Sequence, residues 1–454
     1  MKDLEKPHNE SEAIEMLHRY NEDVLPQKFG KAGMIWVSFL LALIVIGLYN
    51  YVQQLRYGLV VTGLSDTVSW GIYISNFVFF VAISLVGSLI TAVLHLLNVK
   101  WRAPLTRISE VIAVSAIVFA GLIIIVDMGR PDRLLNMFIY GRIQSPIVWD
   151  VIVVMTYMTI SVLLLYFPLI PSIAYCRDHM KSVPKWQHKM YTILALNWKD
   201  TNGQYAIVSK AIKILSIMII PVALSIHTVT SWLFATTYRP GWDSTNFGAY
   251  FVAGAFMVGA ASVVAAMYIL QKFYKNYDQY FTDKHFDRMG KLLVLLSFVY
   301  LYFSVNEYFI PGYKMKGEEA EHLKELFVGH YAPMFWTVQI FGMIIPIIVL
   351  LFKKGRKPFP IFIMAIFVIL GAWFKRYLIV VPTMLHPLTP MDRLPEAAKH
   401  YMPTFAEWSI TSASLAGALL LITLFVRYFP IISIWELAEE RDIPHHTIYK
   451  HLNK

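Results

Sequence analysis

Cysteine is almost absent from this chain: Cys176 is the only one in 454 residues. One thiol cannot hold a cysteine-ligated iron–sulfur cluster and cannot close a disulfide within the chain. Charge is scarce too. Asp, Glu, Lys and Arg make up 15% of the residues against 57% hydrophobic ones, and the mean hydropathy is +0.53. One soluble core cannot hide that much apolar surface. The sequence has no phosphate-binding glycine loop and no cluster at metal-ligand spacing, so no metal site is expected. A haem b between helices needs two histidines at matching depth. His95 and His227 fall toward opposite leaflets, which gives no haem site and no cofactor of the chain's own.

What the sequence does contain is a series of apolar runs near twenty residues long. About 20 residues at ~1.5 Å rise cross a ~30 Å hydrocarbon layer. Runs near 33–55, 71–97, 107–126, 147–168, 210–235, 248–270, 291–310, 333–352, 360–381 and 407–428 predict an all-α integral membrane protein with about ten transmembrane helices. Residues 1–32 are polar and mixed in charge, so the first run reads as a retained helix. Within them, 9–20 (NESEAIEMLHRY) is either a short amphipathic helix or a solvated tail. The chain thus divides into an N-terminal tail (1–32), a membrane domain (33–428) and a C-terminal tail (429–454). Pro168, Pro221 and Pro346 predict kinks or helix ends. Trp70, Trp149 and Trp242 read as interface anchors.

The net charge of +10 sits in short loops, which argues for a lipid bilayer and against nucleic acid. Lys100, Arg102 and Arg107 make one basic loop. Arg177, Lys181, Lys185, Lys189 and Lys199 make the next, followed by Lys272–Lys291 and then Lys353–Lys357. These alternate with near-neutral or acidic loops at 56–70, 127–146, 236–247, 311–332 and 382–406. The positive-inside rule then predicts that both termini are cytoplasmic.

Ionisable groups inside the bilayer cost several kcal/mol, so each asks for a partner or a task. Asp127 ends the third run. Glu307 lies about one turn before Pro311, Lys375 and Arg376 lie about two-thirds along the ninth run, and His227 lies in the outer half of the fifth. His95 is near the inner end of the second. Tyr300 and Tyr302 could extend a relay among them. Two functional readings stand: a proton path, or a quinone site in which Asp127 takes a proton while His227 or Arg130 orients the head group. Structural readings stand beside them. Asp127 could cap its helix or pair with Arg130 or Arg133. Glu307 could bridge to Lys375 or Arg376, and His227 could be a hydrogen-bonded core residue. An ion-coupled transporter built on Glu307, Lys375 and Arg376 is a further alternative, although the chain shows no paired helix interruption.

WGIYISNFVFF (70–80), SLVGSLITAVLHL (84–96), AGLIIIVDMGRPDRL (120–134) and SPIVWD (145–150) resemble the NrfD/polysulfide-reductase family of membrane subunits. The resemblance continues through SIHTVTSWLF (225–234), PGWDSTNFGAYFVAGA (240–255), HFDRMGKLL (285–293), NEYF (306–309) and FKRYLIVVPTM (374–384). It implies two four-helix bundles, spans two to five and six to nine, with peripheral helices added. Within the family the chain is similar to the ten-helix subunits of alternative complex III, a bacterial quinol-oxidising respiratory complex with two such subunits. In one of them the quinol site is placed, beside the iron–sulfur subunit. Ser84 and Leu85 stand where that quinol-site subunit has Gly-His, and Asp127 stands where it has a histidine. RYFPIISIWE (427–436) is similar to the other one, ActF. Lys375 stands where many relatives carry Glu. The resemblance implies a subunit of the bacterial inner membrane without its own redox centre, contributing a proton path. It also implies partners: a second NrfD-like subunit, a periplasmic iron–sulfur subunit, multihaem cytochrome c subunits and, optionally, a terminal oxidase. Menaquinol or another quinol, haem c and iron–sulfur clusters would then belong to those partners.

Overall fold

A computed structural model describes residues 25–433, except 27–28, 98–102, 181–182, 200, 238, 243, 275–276 and 387–400. The stretch 9–20 and the side chain of His95 lie outside the described residues. The long helices are α1 (Lys31–Tyr57), α2 (Ile72–Leu96), α3 (Ala103–Asp127), α4 (Pro146–His179) and α5 (Asn202–Ala235), then α6 (Phe247–Phe273), α7 (Asp283–Lys314), α8 (Ala332–Leu351), α9 (Pro358–Met384) and α10 (Phe405–Tyr428). Among the described residues, nine of these are long and apolar enough to cross a membrane; α2 contributes a shorter apolar stretch, Ile72–Leu85. The chain is an all-helical integral membrane protein, as its apolar runs predict.

Helices α2, α3, α4 and α5 close one bundle: α2 packs on α3, α3 on α4, α4 on α5, and α5 returns to α2. In a second bundle α6 packs on α7 and α9, and α8 lies against α7 and α9. The seam between the bundles is made by α2 and α5 against α6, with α9 leaning on α2. Helices α1 and α10 pair with each other outside, and α10 rests on α3. Only Leu40, Gly47 and Gln54 of α1 are buried, while Ile35, Phe39, Val45 and Leu48 are exposed. Such an apolar exposed face suits lipid. The cap of α10 is built into the sequence: Thr404 and Glu407 form a reciprocal capping box.

The prolines do not end helices. Pro168 lies inside α4, Pro221 inside α5 and Pro311 inside α7. Pro346 follows a π-helical turn at Ile340–Ile344. A helical proline collides with the carbonyl four residues back, here that of Gly342, and a widened turn relieves the clash. Gly342 also abuts Gly371 of α9, where an added Cβ would come within 2.8 Å of the Gly371 Cα.

Two sequence expectations change. Arg107 is not a loop charge. It is 1% exposed within α3, and its guanidinium donates to the carbonyls of Pro168, Pro430 and Ile432 and to Ser172 Oγ. Residues 430–433 are thereby held against the bundle, with Ile431, Ile432 and Ser433 buried. Trp242 is not an interface anchor either. It is fully buried, stacks on Trp70 with centroids 5.8 Å apart, and donates from Nε1 to the Ile379 carbonyl at 2.7 Å. Both residues have polar groups that a buried backbone carbonyl can satisfy, and sequence position alone does not show that carbonyl.

Candidate functional site

The interior of the second bundle carries the densest set of polar side chains. Helix α7 supplies a buried stripe of Ser297, Tyr300, Ser304 and Glu307, whose spacing keeps them on one helical face. Helix α9 supplies Lys375 and Arg376, each 2% exposed. Consecutive helical residues point about 100° apart, so the two cations diverge. Lys375 Nζ hydrogen-bonds the Tyr308 hydroxyl and sits among three rings, 4.4 Å from the centroid of Tyr308, 5.4 Å from Phe335 and 5.9 Å from Tyr250. The Glu307 carboxylate acts on it electrostatically. An aromatic cage and a carboxylate together compensate a desolvated ammonium.

Arg376 turns toward Phe251, with its guanidinium carbon 5.6 Å from that ring. Room for it comes from Gly254, where an added Cβ would lie 2.9 Å from Arg376 Nη2. Arg376 also lies within electrostatic reach of His227 on α5, across the seam. His227 is 2% exposed, and its Nε2 meets no hydrogen-bond partner.

Tyr300 donates to the Tyr250 hydroxyl at 3.0 Å, and their rings stack at 5.1 Å. Two small cavities flank this group. One of about 10 Å³ is lined by Tyr300, Gln339 and Lys375. The other, about 30 Å³, is lined by Tyr250, Glu307, Tyr308, Glu319, His322 and Thr383. These volumes are of the size that one or two water molecules fill. Tyr300 and Lys375 thus face the smaller cavity, Tyr250, Glu307 and Tyr308 face the larger one, and the Lys375–Tyr308 and Tyr300–Tyr250 hydrogen bonds join the two sets. Arg376 and His227 branch from this polar line.

Asp127 belongs to a different network. Its Oδ1 is buried without a hydrogen-bond partner, and the charged group acting on it is Glu407 of α10. Beside it, Tyr73 donates to Gln54 Oε1 at 2.9 Å, and Gln54 donates to the Val126 carbonyl at 2.8 Å. Glu407 is fully buried and accepts from Tyr401 at 2.6 Å and from the Gly63 amide at 2.8 Å. Arg130 does not pair with Asp127. It forms an exposed bidentate pair with Asp132 at 2.8–2.9 Å.

A larger pocket of about 590 Å³ opens between the bundles at the end bearing the near-neutral loops. Trp70, Trp149, Trp242, Gln144, Thr237 and Arg239 line much of it, and Arg239 Nη1 is buried without a partner. Its volume lies in the range of small-molecule sites. Asp127, Arg130 and His227 are not among its lining residues. Nearby, Asp150 is 3% exposed and accepts from Thr230 at 2.6 Å, which ties α4 to α5.

The polar line is partly hidden in the sequence. Tyr250, Tyr308 and Gln339 carry no charge and do not stand out there, and Glu319 and His322 fall in a stretch that reads as a loop. Burial of Tyr250 and Tyr308 beside Lys375 depends on which helix faces turn inward. Among the described residues, no group of three or more His, Cys, Asp or Glu side chains is arranged to hold a metal ion.

Comparison with known proteins adds the lineage. Residues 60–387 match the model of the NrfD polysulphide reductase family. The chain belongs to this family. It is 23% identical to a selenate reductase subunit of Mesobacillus selenatarsenatis over 410 residues, covering 87% of this chain and 94% of that protein. It is 23% identical to the menaquinone reductase integral membrane subunit of Nitratidesulfovibrio vulgaris over 408 residues, covering 88% and 91%. A candidate dimethyl sulfoxide reductase membrane subunit of Halobacterium salinarum is 27% identical over 282 residues, 62% of this chain; the chain spans 61% of that relative's length. All three are named as reductase subunits, two of them as membrane subunits.

Proposed function

We propose that this chain is the integral membrane subunit of a quinol-oxidising respiratory complex of the alternative complex III type, in the position of ActF. It has no redox centre of its own. It sits in a bacterial inner membrane with both termini in the cytoplasm, so the near-neutral loops face the periplasm. Haem c and iron–sulfur clusters are carried by partner subunits, and a second NrfD-like subunit stands beside it. Three things support this reading: the family, the relatives named for menaquinone and selenate reductases, and the single cysteine.

The contribution of the chain is a proton path through the second bundle. The observation that carries it is the Tyr300–Lys375–Tyr308–Glu307 line between two water-sized cavities. Lys375 exchanges an ammonium proton with Tyr308 or with water in the smaller cavity. The Glu307 carboxylate takes it on the periplasmic side and becomes a carboxylic acid. Tyrosine hydroxyls and a carboxyl group both donate and accept, and a lysine accepts once its ammonium has given up a proton, so such groups pass protons without a permanent opening. Two experiments test the reading. Tagged purification in mild detergent should bring multihaem cytochrome c, iron–sulfur and NrfD-like partners; a chain that emerges alone and monodisperse overturns the complex and favours a transporter. Glu307→Gln in the reconstituted complex should keep quinol oxidation and lose proton translocation.

A second reading is direct quinol binding. It is favoured by the 590 Å³ pocket with its three tryptophans and Arg239. Photoreactive quinone labelling of Trp70 or Trp149 would support it, and labelling confined to another subunit rejects it.

A further inference from the structure

The polar line does not stop at Glu307. Between α7 and α8 the chain folds a short helix, Gly317–Phe327, whose inward face is His322, Leu323 and Leu326. This helix covers the 30 Å³ cavity, and His322 together with Glu319 forms the cavity wall opposite Glu307 and Tyr308. His322 is 6% exposed. Gly241 lies flush against its ring: φ there is +86°, and an added Cβ would lie 2.8 Å from His322 Nε2. The second histidine, His386, follows α9 and meets His322 edge to face, with centroids 5.7 Å apart. His386 is half-buried and reaches the surface. Three polar atoms at this place are buried without a hydrogen-bond partner: His322 Nδ1, His386 Nε2 and Glu319 Oε2.

We propose that His322 and His386 are the periplasmic port of the proton path, with the Gly317–Phe327 helix as its cover. This rests on the proton-path reading above. The carboxylic acid of Glu307 gives its proton to the cavity and becomes a carboxylate. A neutral imidazole of His322 takes that proton on one nitrogen and becomes an imidazolium. It hands a proton to His386, which releases one to the periplasmic water. One proton enters the port and one leaves, and both rings end neutral.

The surrounding charges suit a relay. His322 faces Lys375 from α9, Glu307, Tyr308 and Tyr250 from α7 and α6, His386 from the loop after α9, and Glu319 on its own helix. Burial, then His386 and Lys375, push its titration down to about 3. It is therefore neutral at rest, and a proton that reaches it does not stay. His386 is likewise pushed down by burial, while Glu325, Glu321 and Glu318 of the covering helix pull it back up. Those three carboxylates favour arrival of the proton on His386, the half-buried member of the pair.

The test uses the intact complex in liposomes, following proton release at the outer face during quinol oxidation. His322→Ala should slow release roughly tenfold or more while uncoupled electron transfer continues, and imidazole added outside should restore the rate. His386→Gln, at a half-exposed site, should slow release without affecting assembly and keeps the test open if His322→Ala fails to assemble. Slow release without imidazole rescue overturns the relay and leaves His322 a packing residue. Normal release in both histidine variants, with release abolished in Glu307→Gln, overturns the port and keeps the path. Normal release in Glu307→Gln overturns both.

Discussion

Lys375 of α9 and Tyr308 of α7 are joined twice: the Lys375 ammonium hydrogen-bonds the Tyr308 hydroxyl and also lies 4.4 Å from the centroid of the same ring. The hydroxyl is the nearer contact and can both give and take a proton, so Tyr308 acts on Lys375 chiefly through its oxygen. Glu307, the residue before Tyr308, completes the compensation. The arrangement ties a candidate transport step to the packing of α7 on α9.

That coupling gives a stability prediction. Lys375→Met keeps the volume but leaves Glu307 without its cation, which should cost about 3 kcal/mol. Lys375→Met with Glu307→Gln removes both charges and should recover most of that loss. Thermal unfolding in detergent of the two single variants and the double variant measures the coupling. Simple additivity would mean that the two groups do not compensate each other.

Arg107 gives another. Its guanidinium satisfies the carbonyls of Pro168 and Pro430, each at 2.9 Å, from inside α3. Arg107→Met should strand these buried acceptors and cost about 2–3 kcal/mol. The released segment 430–433 should then become a protease site. Limited proteolysis followed by mass spectrometry checks this. Cleavage no faster than in the unaltered chain would show that apolar burial of Ile431 and Ile432 holds the segment without Arg107.

The helix count and the class were legible because lipid imposes long apolar runs, and those runs are local in sequence. The two bundles were legible only through the family resemblance, since no internal repeat marks them. Glu307, Lys375 and Arg376 stood out in the sequence because a charge in hydrocarbon asks for a partner. The partners of those charges were less legible. Asp127 read as a candidate beside them because it is an acid ending an apolar run, yet the structure places it near Tyr73 and Glu407 instead. His322 was hidden because an eleven-residue amphipathic helix between two spans reads as a loop. Arg107 misled because a charge near the end of an apolar run looks the same whether it snorkels outward or anchors a distant carbonyl.

Asp127 allows the two networks to be told apart. It shares no hydrogen bond with the Lys375 line, and Glu407 is the carboxylate near it. Asp127→Asn should therefore leave the proton-to-electron ratio of the reconstituted complex unchanged, while Glu307→Gln lowers it. A loss of coupling in Asp127→Asn would give the network around α1 and α10 a proton role of its own.

The pH dependence of stability follows from His322. Its ordinary value of 6.5 is pushed down to about 3 in the folded chain, chiefly by burial. Between those values the unfolded chain binds a proton that the folded chain refuses. The folded state is therefore fully stable above pH 6.5 with respect to this group and loses stability as the pH falls, by up to about 1.4 kcal/mol per pH unit. His386 is pushed the same way and adds to the slope. His322→Gln removes the larger contribution. At pH 7 that variant should be slightly less stable than the unaltered chain, because packing on Gly241 is lost. By pH 5 the gap should close or reverse, a relative change of roughly 2 kcal/mol. Melting temperatures of both proteins in the same detergent at pH 7, 6 and 5 decide it. Parallel curves would mean that the His322 ring already takes up its proton in the folded state, and that the covering helix opens far enough to let water reach it.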